Sequence, residues 1–185
     1  LSGGGSALLA APLLHPAAHR LRLEHIQAAT QALLRSGAAI EEVNCVRKHL
    51  SGIKGGRLAA RIHPARALTL ILSDVVGDRL DSIASGPLVF DDTTYEQAME
   101  VLARYGIEAE VPDVVLSVLR AGLRGDIPET PKQGDPATAG VRTVVLGGTL
   151  TALRAAAEHA RKLGYTTVAL SAQITGEARE TARFY

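Results

Sequence analysis

The sequence predicts an α/β fold, a Rossmann-like parallel sheet with helices on both faces, followed by the first βαβ unit of a second α/β domain. Three observations carry this. Segments with apolar residues at helical spacing alternate with apolar runs of strand length. Ala67–Leu72 is apolar at almost every position, as a strand buried on both faces of a parallel sheet would be. A second such run, Val141–Leu146, leads through a glycine turn into another amphipathic segment.

Leu23 to Arg35 places Leu23, Ile26, Ala29, Ala32 and Leu33 on one helical face, and Gly37 follows as a C-terminal stop. A second helix is expected from Ile40 to Leu50. Gly55-Gly56 opens a short helix to Ile62 that Pro64 ends. After the strand Ala67–Leu72 comes the polar string Ser73 to Asp78. Ligands of open α/β sheets gather at the carboxyl ends of strands, so chemistry is expected there. Thr93 or Thr94 caps a helix through Tyr105, closed by Gly106, and Val114 to Leu123 forms another. Residues 124–140, rich in Pro and Gly and without apolar periodicity, read as a linker between residues 1–123 and a second unit at 141–185. That unit is expected to contain the strand from Val141, the turn Gly147-Gly148, a helix from Leu150 to Leu163, a strand from Thr166 to Leu170, and the start of a final helix. A glycine loop with no strand leading into it, and a last helix without a C-cap, make an internal fragment of a longer protein the expectation.

The chain has 185 residues, 46% of them hydrophobic, enough for a sizeable core. It contains no apolar run of about 18 residues for a membrane span, and its first residues do not form a signal peptide. One cysteine, Cys45, excludes an internal disulfide and points to a reducing cytoplasmic setting, with Cys45 itself read as a small buried hydrophobe. Between Val43 and Ser73 there is no acid, while Arg47, Lys48, Lys54, Arg57, Arg61 and Arg66 fall there; from Asp74 to Asp113 the sign reverses. This segregation suits a basic cleft wall for a phosphorylated or carboxylate ligand. With aromatics at 3% and no Trp, nucleic acid is disfavoured.

The run Gly3-Gly4-Gly5, framed by Ser2 and Ser6, can turn several amides toward one anion, the alternative being a flexible linker. Gly147-Gly148 lacks the G-x-G-x-x-G spacing of a dinucleotide site, and there is no P-loop. Ser51-Gly-Ile-Lys54 matches S-x-x-K without the accompanying K-T-G, and Ser6 lacks the second glycine of a nucleophile elbow. Asp74 and Asp78 could hold Mg²⁺ or could cap a solvated turn.

Taken in order, SGGGSALL, LLRSGAAIEEVNCVRKHLSGIKGGRLA, LILSDVVGDRLDSIASGP, the D-x-T-T helix and YGI resemble the class II glycerate kinases, the group with a C-terminal MOFRL domain. The resemblance is strongest from Leu1 to Tyr105. It implies an ATP-dependent phosphotransferase that converts D-glycerate to 2-phosphoglycerate between two α/β domains, with ATP and Mg²⁺ as cofactors, small-molecule partners and a homo-oligomer left open. It also implies that an upstream G-K-A-type segment and the MOFRL segment lie outside the present sequence, and that Gly147-Gly148-Thr149 replaces an amide-bearing G-N-x turn. Similar sequences also bear the name hydroxypyruvate reductase, an NAD(P)H-dependent activity that the absent fingerprint disfavours. A non-enzymatic anion- or nucleotide-binding module is the remaining alternative.

On the family reading, Lys48 and Asp74 are the candidate catalytic residues. Ser2, Gly3, Gly4, Gly5, Ser6, Arg47, Lys54, Ser73 and Ser85 are candidates for substrate or phosphate binding, and Asp74 and Asp78 for metal. Lys48 is also expected to be replaceable without loss of folding.

Overall fold

A computed structural model describes the chain except for Gly3, Thr175, Glu177 and Tyr185, so the expectation for Gly3 lies outside the described residues. The mixed α/β class is as predicted. Its elements are α1 (Gly5–Leu8), α2 (Leu23–Arg35), α3 (Ile40–Leu50), α4 (Arg57–Ile62), β1 (Ala67–Leu72), α5 (Tyr95–Arg104), α6 (Asp113–Leu123), α7 (Pro136–Ala139), β2 (Val141–Gly147), α8 (Thr149–Lys162) and α9 (Ala178–Phe184), with short 3-10 turns between several of them.

The core lies among α2, α3, α5 and α6, where Ala32, Leu33, Val46, Leu50, Leu102, Val115 and Leu119 are essentially sealed from solvent. Ala32 and Leu33 are among the apolar positions that the helical spacing put on one face of α2. Thr94 caps α5: its hydroxyl accepts from the Gln97 N–H, and the Gln97 side chain returns the bond to the Thr94 N–H. Gly122 on α6 lies so close to Tyr95 that a Cβ there would stand 2.3 Å from the nearest ring carbons.

β1 and β2 run parallel, Ala67 opposite Val141 and Leu70 opposite Val144, with an irregularity after Ile71. On the other edge of β1, Ser2 bridges Leu72 in parallel, and the Leu1 ammonium donates to the Leu70 carbonyl at 2.7 Å. Three parallel segments therefore end together. The glycine loop, the Ser73–Asp78 loop and the Gly147–Thr149 turn emerge at their shared carboxyl end, where ligands of such sheets bind.

Three expectations need correction. Residues 166–170 form no strand, and Val168 and Leu170 are exposed; among the described residues β2 pairs only with β1, so no backbone ladder holds this segment. β1 is covered on one face only: Thr69 and Ile71 are buried, whereas Leu68, Leu70 and Leu72 face outward. The helical body does not stop at Leu123. Ile127 and Thr130 are each 1% exposed, and residues 127–132 pack against α4 and α5 through polar bonds described below. Proline and glycine signalled the irregular backbone, but not that it is anchored.

Candidate active site at the glycine loop

Ser6, on α1, is drawn to α3 and to the segment before α4. Lys54 Nζ donates to the Ser6 carbonyl at 2.7 Å and to Ser6 Oγ at 3.0 Å. The Arg47 guanidinium donates to the same carbonyl at 2.8 Å. Ser6 Oγ lies 2.6 Å from Ser85 Oγ, and Ser85 donates to Asn44 Oδ1 at 3.1 Å. Arg47 also reaches Asn44 Oδ1, at 3.4 Å.

The backbone builds this cluster at some cost. Ala84, Ser85 and Gly86 all have positive φ, and the segment is held by bonds from the Gly55 and Gly56 N–H groups to the Ser85 and Gly86 carbonyls. Gly56 is itself at φ +78°, and a Cβ there would stand 2.8 Å from the Val89 carbonyl. Two facing glycine-containing turns thus bring Ser85 under Ser6.

The electrostatics are unusual. Lys54 is 3% exposed and Arg47 half-buried, yet among the described residues neither makes an ion pair with a carboxylate. Burial, helped by the neighbouring Arg47 charge, lowers the Lys54 ammonium to about 8, and burial also lowers Arg47. Two close cations that share one neutral carbonyl and lack a counter-charge are costly to gather unless an anion completes the group. Arg47 also lines a cavity of about 480 Å³ with Ala7, Leu8, Gln27 and Gln31.

The candidate residues do not all meet here. Ser6, Arg47, Lys54 and Ser85 do, while Gly4 and Gly5 supply the turn before Ser6, with Gly4 at φ +71°. Lys48 does not. Its ammonium lies 3.1 Å from Asp91 and 3.6 Å from Asp81, and it is 3% exposed, so it is occupied by a buried ion pair rather than offered to a ligand. Asp91, fully buried, also accepts from the Thr93 N–H, the Thr93 hydroxyl and the Thr130 hydroxyl. Burial works against its ionised form, but Lys48 and the Thr93 bonds prevail and hold its carboxyl below the usual range.

Ser2 belongs to the sheet edge. Ser73 turns its hydroxyl onto its own loop at Val75, while its N–H donates to the Gly147 carbonyl at 2.8 Å. Asp74 is exposed. Asp78, at φ +51°, packs its carboxylate on Gly148 at the start of α8, beside a cavity of about 200 Å³ lined by Val75, Thr149 and Gln173. Among the described residues no three His, Cys, Asp or Glu side chains gather as a metal site.

Sequence reasoning missed Asn44, Asp91 and the trio His49, Glu129 and Lys132. His49 is fully buried, bonded to the Cys45 carbonyl and to Glu129, and stacked edge-on against Tyr95. Glu129 also accepts from the Tyr95 N–H and from Lys132. The spacing of Asn44 three residues before Arg47 on one helix was the signal available for the first.

Parallel strands, with a glycine loop beside their carboxyl ends and two cations that have no carboxylate partner among the described residues, define an α/β protein with a basic cluster at that loop. Residues 1–120 match the family described as a domain of unknown function (DUF4147), and the chain belongs to that family. It is 45% identical over 184 residues to the D-glycerate 2-kinase of Thermotoga maritima, covering all of this chain and 40% of that protein. A crystal structure of glycerate kinase from the same organism superposes with a TM-score of 0.76 at 43% identity, over 100% of this chain and 40% of that one. A relative from Agrobacterium vitis named as a hydroxypyruvate reductase is 45% identical over 99% of this chain and 38% of its own length. The chain thus spans about 40% of the length of these two relatives.

Proposed function

We propose that the full-length protein transfers the γ-phosphoryl group of ATP to the 2-hydroxyl of D-glycerate, and that the Ser6, Arg47 and Lys54 cluster holds an anionic group of substrate or nucleotide. The observation that carries this is the pair of buried or half-buried cations beside the glycine loop that have no carboxylate partner among the described residues. The names of the relatives supply the substrate and reaction.

Phosphoryl transfer asks a protein mainly for positioning and charge stabilisation. Lys54 spends two of its N–H donors on Ser6 and keeps one, and Arg47 keeps donors beyond those on Ser6 and Asn44. Those remaining donors would hold the anion, with Arg suited to a carboxylate fork and Lys to a point contact on phosphate. Ser6 holds both cations through its carbonyl, which ties the glycine loop to Arg47 on α3 and to Lys54. Asp74 or Asp78 would orient the acceptor hydroxyl or hold Mg²⁺, which when bound neutralises phosphate charge. Because Lys54 must be charged to hold an anion, ligand binding should weaken as pH rises through about 8.

A coupled ADP-release assay on the full-length protein tests this. ADP release that depends on D-glycerate and Mg²⁺ is the expected result, and turnover only of hydroxypyruvate with NAD(P)H would overturn it. The reductase reading has a relative's name in its favour. Against it, the β2–α8 turn has adjacent glycines where a dinucleotide site spaces them. Nucleotide binding without release of ADP from ATP in the presence of any hydroxy acid would favour the non-enzymatic module. A cytoplasmic enzyme acting on small molecules is part of the same proposal; among the described residues no helix is long and apolar enough to cross a membrane.

A further inference from the structure

We propose that Asn44 is a positioning residue whose neutrality keeps the Arg47 and Lys54 charges available to an anion. This rests on the anion-binding reading of the cluster. Asn44 is 9% exposed on α3, and its side-chain oxygen is the shared acceptor for the Ser85 hydroxyl and the Arg47 guanidinium. Arginine can only donate, so the amide oxygen, not the nitrogen, faces it. That assignment fixes the direction of the whole network while Lys54 is charged. Ser85 gives its single proton to Asn44, so at the 2.6 Å contact Ser6 must give its proton to Ser85, and Ser6 Oγ is left to accept from Lys54. A chain of bonds with one polarity thus runs from Lys54 through Ser6 and Ser85 to Asn44, and Arg47 ends on the same atom.

An aspartate of the same shape could accept the same bonds, and more strongly. It would also place a carboxylate on Arg47 and cancel one of the two uncompensated charges. An asparagine in a buried slot beside two cations is therefore the choice that favours ligand binding over internal pairing. Stability and binding should respond to the carboxylate with opposite sign, which a purely structural asparagine would not produce.

The test is Asn44→Asp beside Asn44→Ala in the full-length protein. It reads thermal midpoint, KM for D-glycerate and for ATP, and the rise in midpoint caused by inorganic phosphate. Asn44→Asp is expected to melt at or above the wild type, to raise at least one KM tenfold or more, and to lose the phosphate-induced rise. Asn44→Ala is expected to melt lower, yet to keep more of the phosphate effect than Asn44→Asp. Unchanged KM values in Asn44→Asp, a lower midpoint for Asn44→Asp than for Asn44→Ala, or a wild type that phosphate does not stabilise would each overturn the proposal. If phosphate gives the expected pattern while the wild type shows no glycerate-dependent ADP release, the role of Asn44 holds and the kinase reading fails.

Discussion

Replacing Lys48 by Met removes a charge from a place with almost no water. The Lys48 and Asp91 side chains are 4% and 0% exposed, and their 3.1 Å contact makes Lys48 the cation that compensates Asp91. Methionine keeps most of the stem volume, so the loss is electrostatic rather than a cavity. Breaking a buried pair from one side costs about 3–5 kcal/mol. The bonds from Thr93 and Thr130 remain, which places the expected loss near the lower end, at about 3 kcal/mol. The exposed pair Arg124–Asp126, with side chains 63% and 50% exposed, should be worth under about 1 kcal/mol and serves as the control. In urea unfolding, with a slope of about 2 kcal/mol/M, Lys48→Met should move the midpoint down by about 1.5 M. Adding Asp91→Asn should recover much of that, because the stranded charge is then gone. A Lys48→Met protein of wild-type stability with abolished turnover would refute this reasoning and restore Lys48 to the catalytic machinery.

Two further outcomes follow from the same packing. Burial works against the ionised Glu129 carboxyl, but bonds from His49, the Tyr95 N–H and Lys132 outweigh it and lower its pKa to about 2, against an ordinary 4.5. Its folded value is depressed, so its contribution is complete above about pH 4.5 and fades as pH falls toward 2. With the side chain 37% exposed, Glu129→Gln should cost about 2 kcal/mol at pH 7, and the gap from wild type should close in acid denaturation series below that window; a gap that widened would contradict the sign. Gly122→Ala would drive a methyl into the buried Tyr95 ring, with an expected loss of about 2–3 kcal/mol and a Tm drop of roughly 4–12 °C by calorimetry; an unchanged Tm would show that the ring yields freely.

The helices were legible because burial imposes a period. Leu23, Ile26, Ala29 and Leu33 repeat as a helix facing a core must, and Thr94 with Gln97 announces its own cap. The convergence of Ser6 with Arg47 and Lys54 was legible from charge: a stretch without acids asks for an anion, and both cations do meet the glycine loop. Lys48 was misread because composition along the chain cannot say which acid of the next segment folds back, and Asp91 does so from 43 positions away. The segment after Leu123 was misread for a related reason. Ile127, Glu129 and Thr130 show no periodicity, and their anchoring depends on Arg57, Tyr95 and Asp91 reaching them from elsewhere in the chain. The strand from Thr166 carried a strand's composition, but composition supplies no neighbouring edge to pair with.

The most direct test of the central claim is a crystal structure of the full-length protein with D-glycerate and a non-hydrolysable ATP analogue. The expected result is an anionic oxygen of one ligand within about 3.2 Å of Lys54 Nζ or an Arg47 guanidinium nitrogen, with Ser6 still bonded to both cations. Both ligands bound more than about 10 Å from these groups, roughly a Debye length, would contradict it.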